Sequence, residues 1–149
     1  MPRTRPFPSA LTVLAAGILA GTTTFAQDLP ADLVESHVFF PAGGTELDAT
    51  AAEQVARLAR VLETSLMADA CLKLVGHADT SGPADVNEAV AFDRAAAVAE
   101  ALGAALVMPE RIEVVASAGE AEPLPQIPAT DPRQRRVAIL ARHCPEWMP

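Results

Sequence analysis

The sequence predicts an α+β fold in which two helices cover one face of a four-stranded mixed sheet. Two observations carry this prediction: apolar residues alternate in four short segments, and they recur at helical spacing in two longer segments. The order along the chain is β-α-β-α-β-β. Because both helices can bury their apolar stripes on the same sheet face, a two-layer sandwich is the simplest packing.

The first strand is predicted at residues 36–40, a short apolar run that the turn sequence Pro-Ala-Gly-Gly ends. A helix is predicted next, because Thr50 and Glu53 have the spacing of a capping box. Its buried stripe is predicted from apolar residues at helical spacing, namely Val55, Leu58, Leu62 and Leu66. The helix should therefore present one apolar stripe to the sheet.

Residues 71–78 alternate as a second strand, and Gly76 marks the point where the chain begins to leave it. After a loop that contains Gly82, Pro83 suits the first turn of a second helix, which is predicted to reach about residue 106. This helix is rich in alanine. Its predicted contact face consists of Phe92, Ala95, Ala96, Ala99, Leu102 and Leu106.

The last two strands are predicted at residues 111–120 and 135–142. A loop with four prolines, residues 121–132, separates them. In the final strand Arg135 and Arg136 point to opposite faces, so one of them is expected to face the helices.

The first 26 residues have the layout of a secretory signal peptide. Arg3 and Arg5 precede an apolar run over residues 10–20, and small residues then lead to a predicted cleavage point after Ala26. The apolar run is about half of the ~20 residues that a membrane-spanning helix needs. The alternative is an uncleaved anchor over residues 9–26, although three threonines and two glycines lie within residues 17–24.

Removal of residues 1–26 takes away two arginines and no acid, which leaves 9 basic and 19 acidic residues and a net charge of −10. Such a charge disfavours nucleic acid and anionic lipid as partners. We expect an exported, periplasmic protein without a membrane span after signal removal, either free or associated with the outer membrane or cell wall. The expected organisation is a linker at 27–35, one domain at 36–143 and a tail at 144–149.

Two cysteines, Cys71 and Cys144, follow the signal peptide. An even number of cysteines in an exported chain allows a disulfide, which we predict between these two. The cysteines and the three histidines show no paired spacing of metal ligands, so neither a metal nor a cofactor is predicted.

Three polar residues around the start of the second helix form a candidate site. Asp79 lies just beyond the second strand, while Asn87 and Arg94 are two helical turns apart and share a face. Ala91 between them is small and leaves room. Asp79 can accept hydrogen bonds from an ammonium group, Arg94 can bind a carboxylate, and Asn87 can orient the ligand, so the set suits a zwitterion.

The same residues have simpler interpretations. Asp79 could cap the second helix or form a surface ion pair with Arg94, and Asn87 could be an ordinary first-turn residue. His77 could form an acid–base pair with Asp79, but a strand-end histidine bonded to backbone is the favoured interpretation, because no nucleophile or third metal ligand has suitable spacing.

The run from Gly76 to Val98 resembles the OmpA-like peptidoglycan-binding domain, whose pattern is Gly-His-Thr-Asp, a loop glycine, an asparagine and Leu-Ser-x-x-Arg-Ala. Three further segments are similar to that family's opening strand, its Gly-x-Gly-Glu-x-x-Pro loop and its closing Asn-Arg-Arg-Val strand: 38–47, 116–125 and 133–140. The resemblance covers about residues 37–142.

The resemblance implies non-covalent, non-enzymatic binding of the meso-diaminopimelate residue in the peptidoglycan stem peptide. It makes Asp79 and Arg94 the principal ligand contacts and places Asn87 at the motif asparagine. Gly82 takes the place of the loop glycine. Two further residues match positions that border the pocket, Phe40 and Arg135.

The chain departs from the family pattern at four places: Ala78 replaces threonine, Val90 and Ala91 replace Leu-Ser, Pro41 stands where aspartate is common, and Gln134 replaces asparagine. Each lost hydroxyl could weaken the pocket by roughly 1 kcal/mol. An alternative function is therefore a protein-interaction module for other envelope proteins with weak or no wall binding. A third hypothesis is a periplasmic hydrolase that uses His77 and Asp79.

Overall fold

A computed structural model describes residues 32–144 of the chain. The predicted signal peptide, residues 27–31 of the predicted linker and residues 145–149 of the predicted tail lie outside the described residues. Six main elements follow in the predicted order: β1 (Asp32–Phe39), α1 (Ala49–Leu62), β2 (Ala70–His77), α2 (Ala84–Ala105), β3 (Ile112–Gly119) and β4 (Arg136–His143).

The strands form one sheet in the order β1-β4-β2-β3. β4 pairs antiparallel with β1 and with β2, whereas β2 pairs parallel with β3. The central strands, β2 and β4, are buried along most of their length, and each has a neighbouring strand on both sides. The arrangement confirms the predicted two helices on a four-stranded mixed sheet.

The core lies between the helices and one sheet face. Leu72 and Leu74 of β2 and Val137 and Ile139 of β4 are buried there, together with side chains of both helices. Each fully buried aliphatic side chain contributes about 1.5–3 kcal/mol. No helix within residues 32–144 is long and apolar enough to cross a membrane.

The disulfide Cys71–Cys144 is present, as predicted. Cys71 lies opposite Arg142 in the antiparallel β2–β4 pair, so Cys144 follows two residues beyond its partner position. The bridge joins the two central strands at the end of the sheet where β1 begins.

Two predicted boundaries differ in the structure. β1 begins at Asp32 rather than at residue 36, because residues 32–35 also pair with β4 and Val34 packs against the core. The capping box was wrong: Asp48 is the N-cap of α1, and its Oδ1 accepts a hydrogen bond from Ala51 N at 2.8 Å. Because α1 ends at Leu62, Leu66 is 88% exposed instead of buried.

The predicted contact face of α2 is also partly wrong. Phe92 and Ala96 are exposed, and the buried residues of the helix are Asn87, Ala91, Arg94, Ala95, Val98 and Leu102. The sequence of α2 places small apolar residues on every face of the helix, so their spacing alone does not identify the buried face. In the structure the face of α2 that packs against the sheet is the one that carries Asn87 and Arg94.

Candidate ligand-binding site

Three strand ends meet at one end of the sheet. Phe39 of β1 and His77 of β2 are both paired with Arg136, the first residue of β4. The residues just beyond these ends are therefore neighbours, and α2 starts beside them. Phe40 N donates to Arg135 O at 3.0 Å and extends the pairing past the end of the sheet.

Asp79 is 5% exposed, and its carboxylate is held by three hydrogen bonds. Oδ1 accepts from Ser81 N at 3.0 Å and from Ser81 Oγ, and Oδ2 accepts from Arg135 Nη1 at 2.6 Å. Burial raises the pKa of Asp79, but the hydrogen bonds from Ser81 and Arg135 outweigh burial and lower that pKa below its usual value. Asp79 is therefore a carboxylate at neutral pH.

Arg94 is almost completely buried, at 1% exposure. Nε donates to Gly44 O at 2.7 Å, Nη2 donates to Pro41 O at 3.2 Å, and the guanidinium lies 5.4 Å from the centre of the Phe40 ring. Burial and the charge of Arg135 lower the pKa of Arg94, while Asp79 opposes them. No carboxylate within residues 32–144 forms an ion pair with Arg94.

These contacts decide between the interpretations left open by the sequence. The ion-pair partner of Asp79 is Arg135 rather than Arg94. Asp79 does not cap α2, because the N-cap is Pro83, which makes no side-chain hydrogen bond. Instead Asp79 organises its own loop through Ser81, in the manner of an aspartate that bonds two residues ahead.

Asn87 is buried and holds the loop between β2 and α2. Its Nδ2 lies 2.9 Å from Asp79 O, 3.2 Å from Gly82 O and 2.6 Å from Glu120 Oε2. A β-carbon on Gly82 would come 2.9 Å from Asn87 Oδ1, so a larger residue there would require the Asn87 side chain to shift. The Nδ2 group of Asn87 is therefore hydrogen-bonded within the protein.

Ala91 does not leave an open space between Asn87 and Arg94. A β-carbon placed on Gly76 would come 1.8 Å from Ala91 O, so the backbone of α2 lies directly against β2 at this point. The room that the small side chain provides is filled by the strand. Gly76 is thus a packing residue inside β2 rather than the start of a loop.

A cavity of about 190 Å³ opens between these elements. Its lining carries one carboxylate, Asp79, and two guanidinium groups, Arg94 and Arg135, beside the amide of Asn87. The other lining residues are small or apolar: Ala42, Gly43, Ala78, Ser81, Gly82, Val86 and Val90. Three larger cavities, of about 330, 360 and 430 Å³, occur among the described residues, but none of them is lined by both a buried acid and a buried arginine.

Of the two residues that the resemblance placed at the border of the pocket, Arg135 lines the cavity, whereas Phe40 does not line it and contacts Arg94 instead. Arg135 Nε donates to Phe40 O at 3.2 Å while its Nη1 binds Asp79, so this side chain bridges the β1 end and the Asp79 loop. Phe40 is 4% exposed and supports the guanidinium of Arg94 with its ring. Arg136 instead lies on the opposite sheet face, near His77.

The sequence reasoning missed three supporting groups. Ser81 binds Asp79, and an acid followed two residues later by serine is a signal that could have identified it. The backbone carbonyls of Pro41 and Gly44 accept hydrogen bonds from Arg94. Because every residue has a backbone carbonyl, the sequence contains no signal for these contacts. Gln134 is fully buried and holds the β3–β4 loop by accepting from Leu124 N at 2.8 Å.

His77 takes no part in the site. Gly76 faces α2, so the next side chain in the strand projects from the opposite face of the sheet. His77 is 4% exposed and its Nδ1 has no hydrogen-bond partner within the described residues, contrary to the expected backbone bond. Burial and the charge of Arg136 lower its pKa to about 4. No group of three possible metal ligands occurs in residues 32–144.

The model of the OmpA family matches residues 39–136, most of the described chain. The chain belongs to the OmpA family. Solved structures of other OmpA-like domains share the fold of this OmpA-family domain at low identity, and no curated protein sequence matches it significantly.

Three of these structures illustrate the likeness. The OmpA-like domain of FopA1 from Francisella tularensis superposes with a TM-score of 0.59 at 20% identity, covering 74% of this chain and 75% of that one. The peptidoglycan-associated lipoprotein from Burkholderia pseudomallei gives 0.60 at 22%, covering 71% and 89%. The C-terminal domain of Helicobacter pylori MotB gives 0.62 at 17%, covering 73% and 85%.

Proposed function

We propose that this OmpA-family domain binds peptidoglycan non-covalently, through the meso-diaminopimelate of the stem peptide, in the periplasm. One observation carries the proposal: Arg94, a buried guanidinium without a carboxylate partner in residues 32–144, lines the same small cavity as the ionised carboxylate of Asp79. A buried charge that only carbonyls and a ring hold is stabilised by an incoming opposite charge.

The free end of meso-diaminopimelate carries both an ammonium and a carboxylate. The carboxylate would bind Arg94, the ammonium would bind Asp79, and the alkyl chain would contact the apolar wall that Val86 and Val90 provide. Phe40 and Arg135 would complete the pocket, while Asn87 would act through the loop that it holds. Such a ligand is bound without bond breaking, so the proposal assigns no catalytic residue.

Family membership supports this function, and one structural relative is a peptidoglycan-associated lipoprotein by name. A signal peptide over residues 1–26 would deliver the domain to the periplasm, where the cell wall lies. The proposal includes export of the chain and assigns no metal or cofactor to the site.

Two of the departures from the family pattern alter the cavity. Ala78 and Val90 line it, so hydroxyl or leucine contacts are lost there. Ala91 packs against Gly76, Pro41 acts through its carbonyl, and Gln134 binds the β3–β4 loop. The changed lining is the reason to keep one alternative to this proposal. In that alternative the OmpA-family domain binds another envelope protein and has lost most of its affinity for the wall.

Co-sedimentation with purified sacculi of the diaminopimelate type tests the proposal. Arg94→Lys keeps the charge but removes the bidentate guanidinium and should weaken binding at least about tenfold, whereas Asp79→Asn removes the charge that would hold the ammonium and should weaken binding by up to about tenfold. Arg133→Met is the matched control, because Arg133 is an exposed arginine whose ion-pair partner is Asp131. Circular dichroism checks that each variant is folded.

If the wild-type protein stays in the supernatant at every sacculus concentration, the wall-binding function is wrong and the protein-interaction module is favoured. If both site variants sediment like the wild type, the wall is bound elsewhere. Release of soluble muropeptides from the sacculi would instead indicate a hydrolase.

A further inference from the structure

We infer that Arg135 makes the cavity select its ligand by a free carboxylate, with the ammonium group in a secondary role. This inference rests on the proposed function and adds a substrate class to it: stem peptides whose diamino acid ends in an unmodified carboxylate. The inference is based on the ion pair between Arg135 and Asp79, because both residues line the cavity.

Asp79 has little hydrogen-bonding capacity left for a ligand. An ionised carboxylate has roughly four acceptor positions. Ser81 occupies two of them at Oδ1, and Arg135 Nη1 occupies one at Oδ2, at 2.6 Å. An ammonium group would therefore find one remaining position on an acid whose charge Arg135 already compensates.

Arg94 and Arg135, in contrast, retain unused N–H donors. Each guanidinium has five N–H donors on three nitrogens. Arg94 uses Nε and Nη2 for carbonyls, and Arg135 uses Nε for Phe40 O and Nη1 for Asp79. Within residues 32–144 no hydrogen-bond partner is found for Arg94 Nη1 or Arg135 Nη2. Both side chains line the cavity, so these groups are available to a ligand oxygen.

The charged groups that line the cavity do not balance. Two guanidinium groups and one carboxylate line it, so it carries one excess positive charge in a chain whose net charge is −8. The nearest further acid in the site's contacts is Glu120, which binds the amide of Asn87 and does not line the cavity. The uncompensated charge is that of Arg94, and it calls for an anion.

The ligand class follows from this balance. A lysine-type stem peptide offers an ammonium without the carboxylate, and an amidated diaminopimelate offers a neutral carboxamide in its place. Both leave Arg94 uncompensated and bring an ammonium toward a pair of arginines. A ligand that lacks the ammonium but keeps the carboxylate satisfies the excess charge.

Isothermal titration calorimetry with four synthetic stem peptides, blocked at both ends, tests this order. Their third residues are meso-diaminopimelate, its side-chain amide, lysine and 2-aminopimelate, which retains the carboxylate and lacks the ammonium. We expect 2-aminopimelate to bind within about tenfold of meso-diaminopimelate, whereas lysine and the amide fall by more than about thirtyfold.

If the lysine or amide peptide binds more tightly than the 2-aminopimelate peptide, or if all four bind equally, the inference is overturned. If the meso-diaminopimelate peptide itself does not bind, the proposed function fails, which is a different result. The four ligands are compared on the unchanged protein, so folding of a variant does not enter.

Arg135→Gln supplies an independent readout. Glutamine removes the competing charge beside Asp79, so the ratio of lysine-peptide to 2-aminopimelate-peptide affinity should rise at least about tenfold, as expected for a charge-assisted contact. Arg135→Lys, which keeps the charge, should leave that ratio near the wild-type value. A residue that only supports the fold would weaken all four peptides by the same factor, and that result contradicts the inference.

Discussion

Gly76 of β2 and Ala91 of α2 are in direct backbone contact. A β-carbon on Gly76 would come 1.8 Å from Ala91 O and 2.5 Å from Ala91 C. This contact fixes which side of α2 faces the sheet, because Asn87, Arg94 and Ala95 then also face inward. The candidate site thus depends on a glycine that does not line its cavity.

Gly76→Ala should destabilise the domain by about 3 kcal/mol, because the new methyl group overlaps backbone atoms that cannot rotate away. Gly103→Ala in α2 is the control: its β-carbon would meet only side-chain atoms at 3.6 and 3.7 Å, and alanine there should stabilise by up to about 1 kcal/mol. Urea unfolding measures both changes. Equal midpoints for the two variants would refute the close contact.

Arg111 is a buried arginine that no feature of the sequence singled out. Its guanidinium binds Ala70 O at 2.8 Å, Leu62 O at 3.2 Å and Met67 O at 2.5 Å, which ties the α1–β2 turn to the start of β3. Arg111→Met should cost about 3 kcal/mol, because these carbonyls lose a charged donor. Thermal and urea unfolding measure the loss, and Arg60→Met, at an exposed position of α1, should change stability by less than about 0.5 kcal/mol. A loss of similar size in both variants would contradict this role.

The disulfide should stabilise the domain strongly, because it closes a separation of 73 residues. In the chain-entropy model such a loop is worth on the order of 4 kcal/mol. Dithiothreitol should therefore lower the urea midpoint of the wild type and leave a Cys71→Ala, Cys144→Ala double variant unchanged. An unchanged wild-type midpoint, with thiol titration confirming reduction, would show that the bridge contributes little.

His77 should make stability depend on mildly acidic pH. Its folded pKa is about 4 and its ordinary value is 6.5, so the unfolded chain takes up a proton first as the pH falls. Stability is complete above about pH 6.5 and declines toward pH 4, by up to about 1.4 kcal/mol per pH unit from this group. His77→Gln should flatten that part of the profile, whereas His143→Gln, at an exposed position, should not. Parallel profiles for wild type and His77→Gln would rule this out.

The helices and strands and their order along the chain were predictable from the sequence, since the apolar periods of 2 and 3.6 residues are local signals. The cysteine count indicated the disulfide that the structure contains. Asp79 and Arg94 were identified by residue type and spacing, Arg135 was identified through the family resemblance, and all three line one cavity.

The contacts among those residues were not predictable, because they depend on tertiary packing. The spacing of Asp79 and Arg94 suggested a pair, yet the strand ends bring Arg135 to Asp79 and surround Arg94 with carbonyls. Asp48 displaced Thr50 as the cap of α1, since either residue type can serve. Asn87 could orient a ligand by its chemistry, but its neighbours use its amide first.

Chemical-shift mapping with a meso-diaminopimelate stem peptide tests the central claim most directly. In ¹⁵N-labelled protein, saturable shifts are expected at the backbone amides of Gly43, Ser81 and Gly82 and at the side-chain Nε–H of Arg94 and Arg135. Arg94→Lys should abolish saturation at concentrations that saturate the wild type. If these resonances stay unchanged at millimolar peptide, or if the shifts cluster along α1 and β1 instead, the cavity is not the binding site.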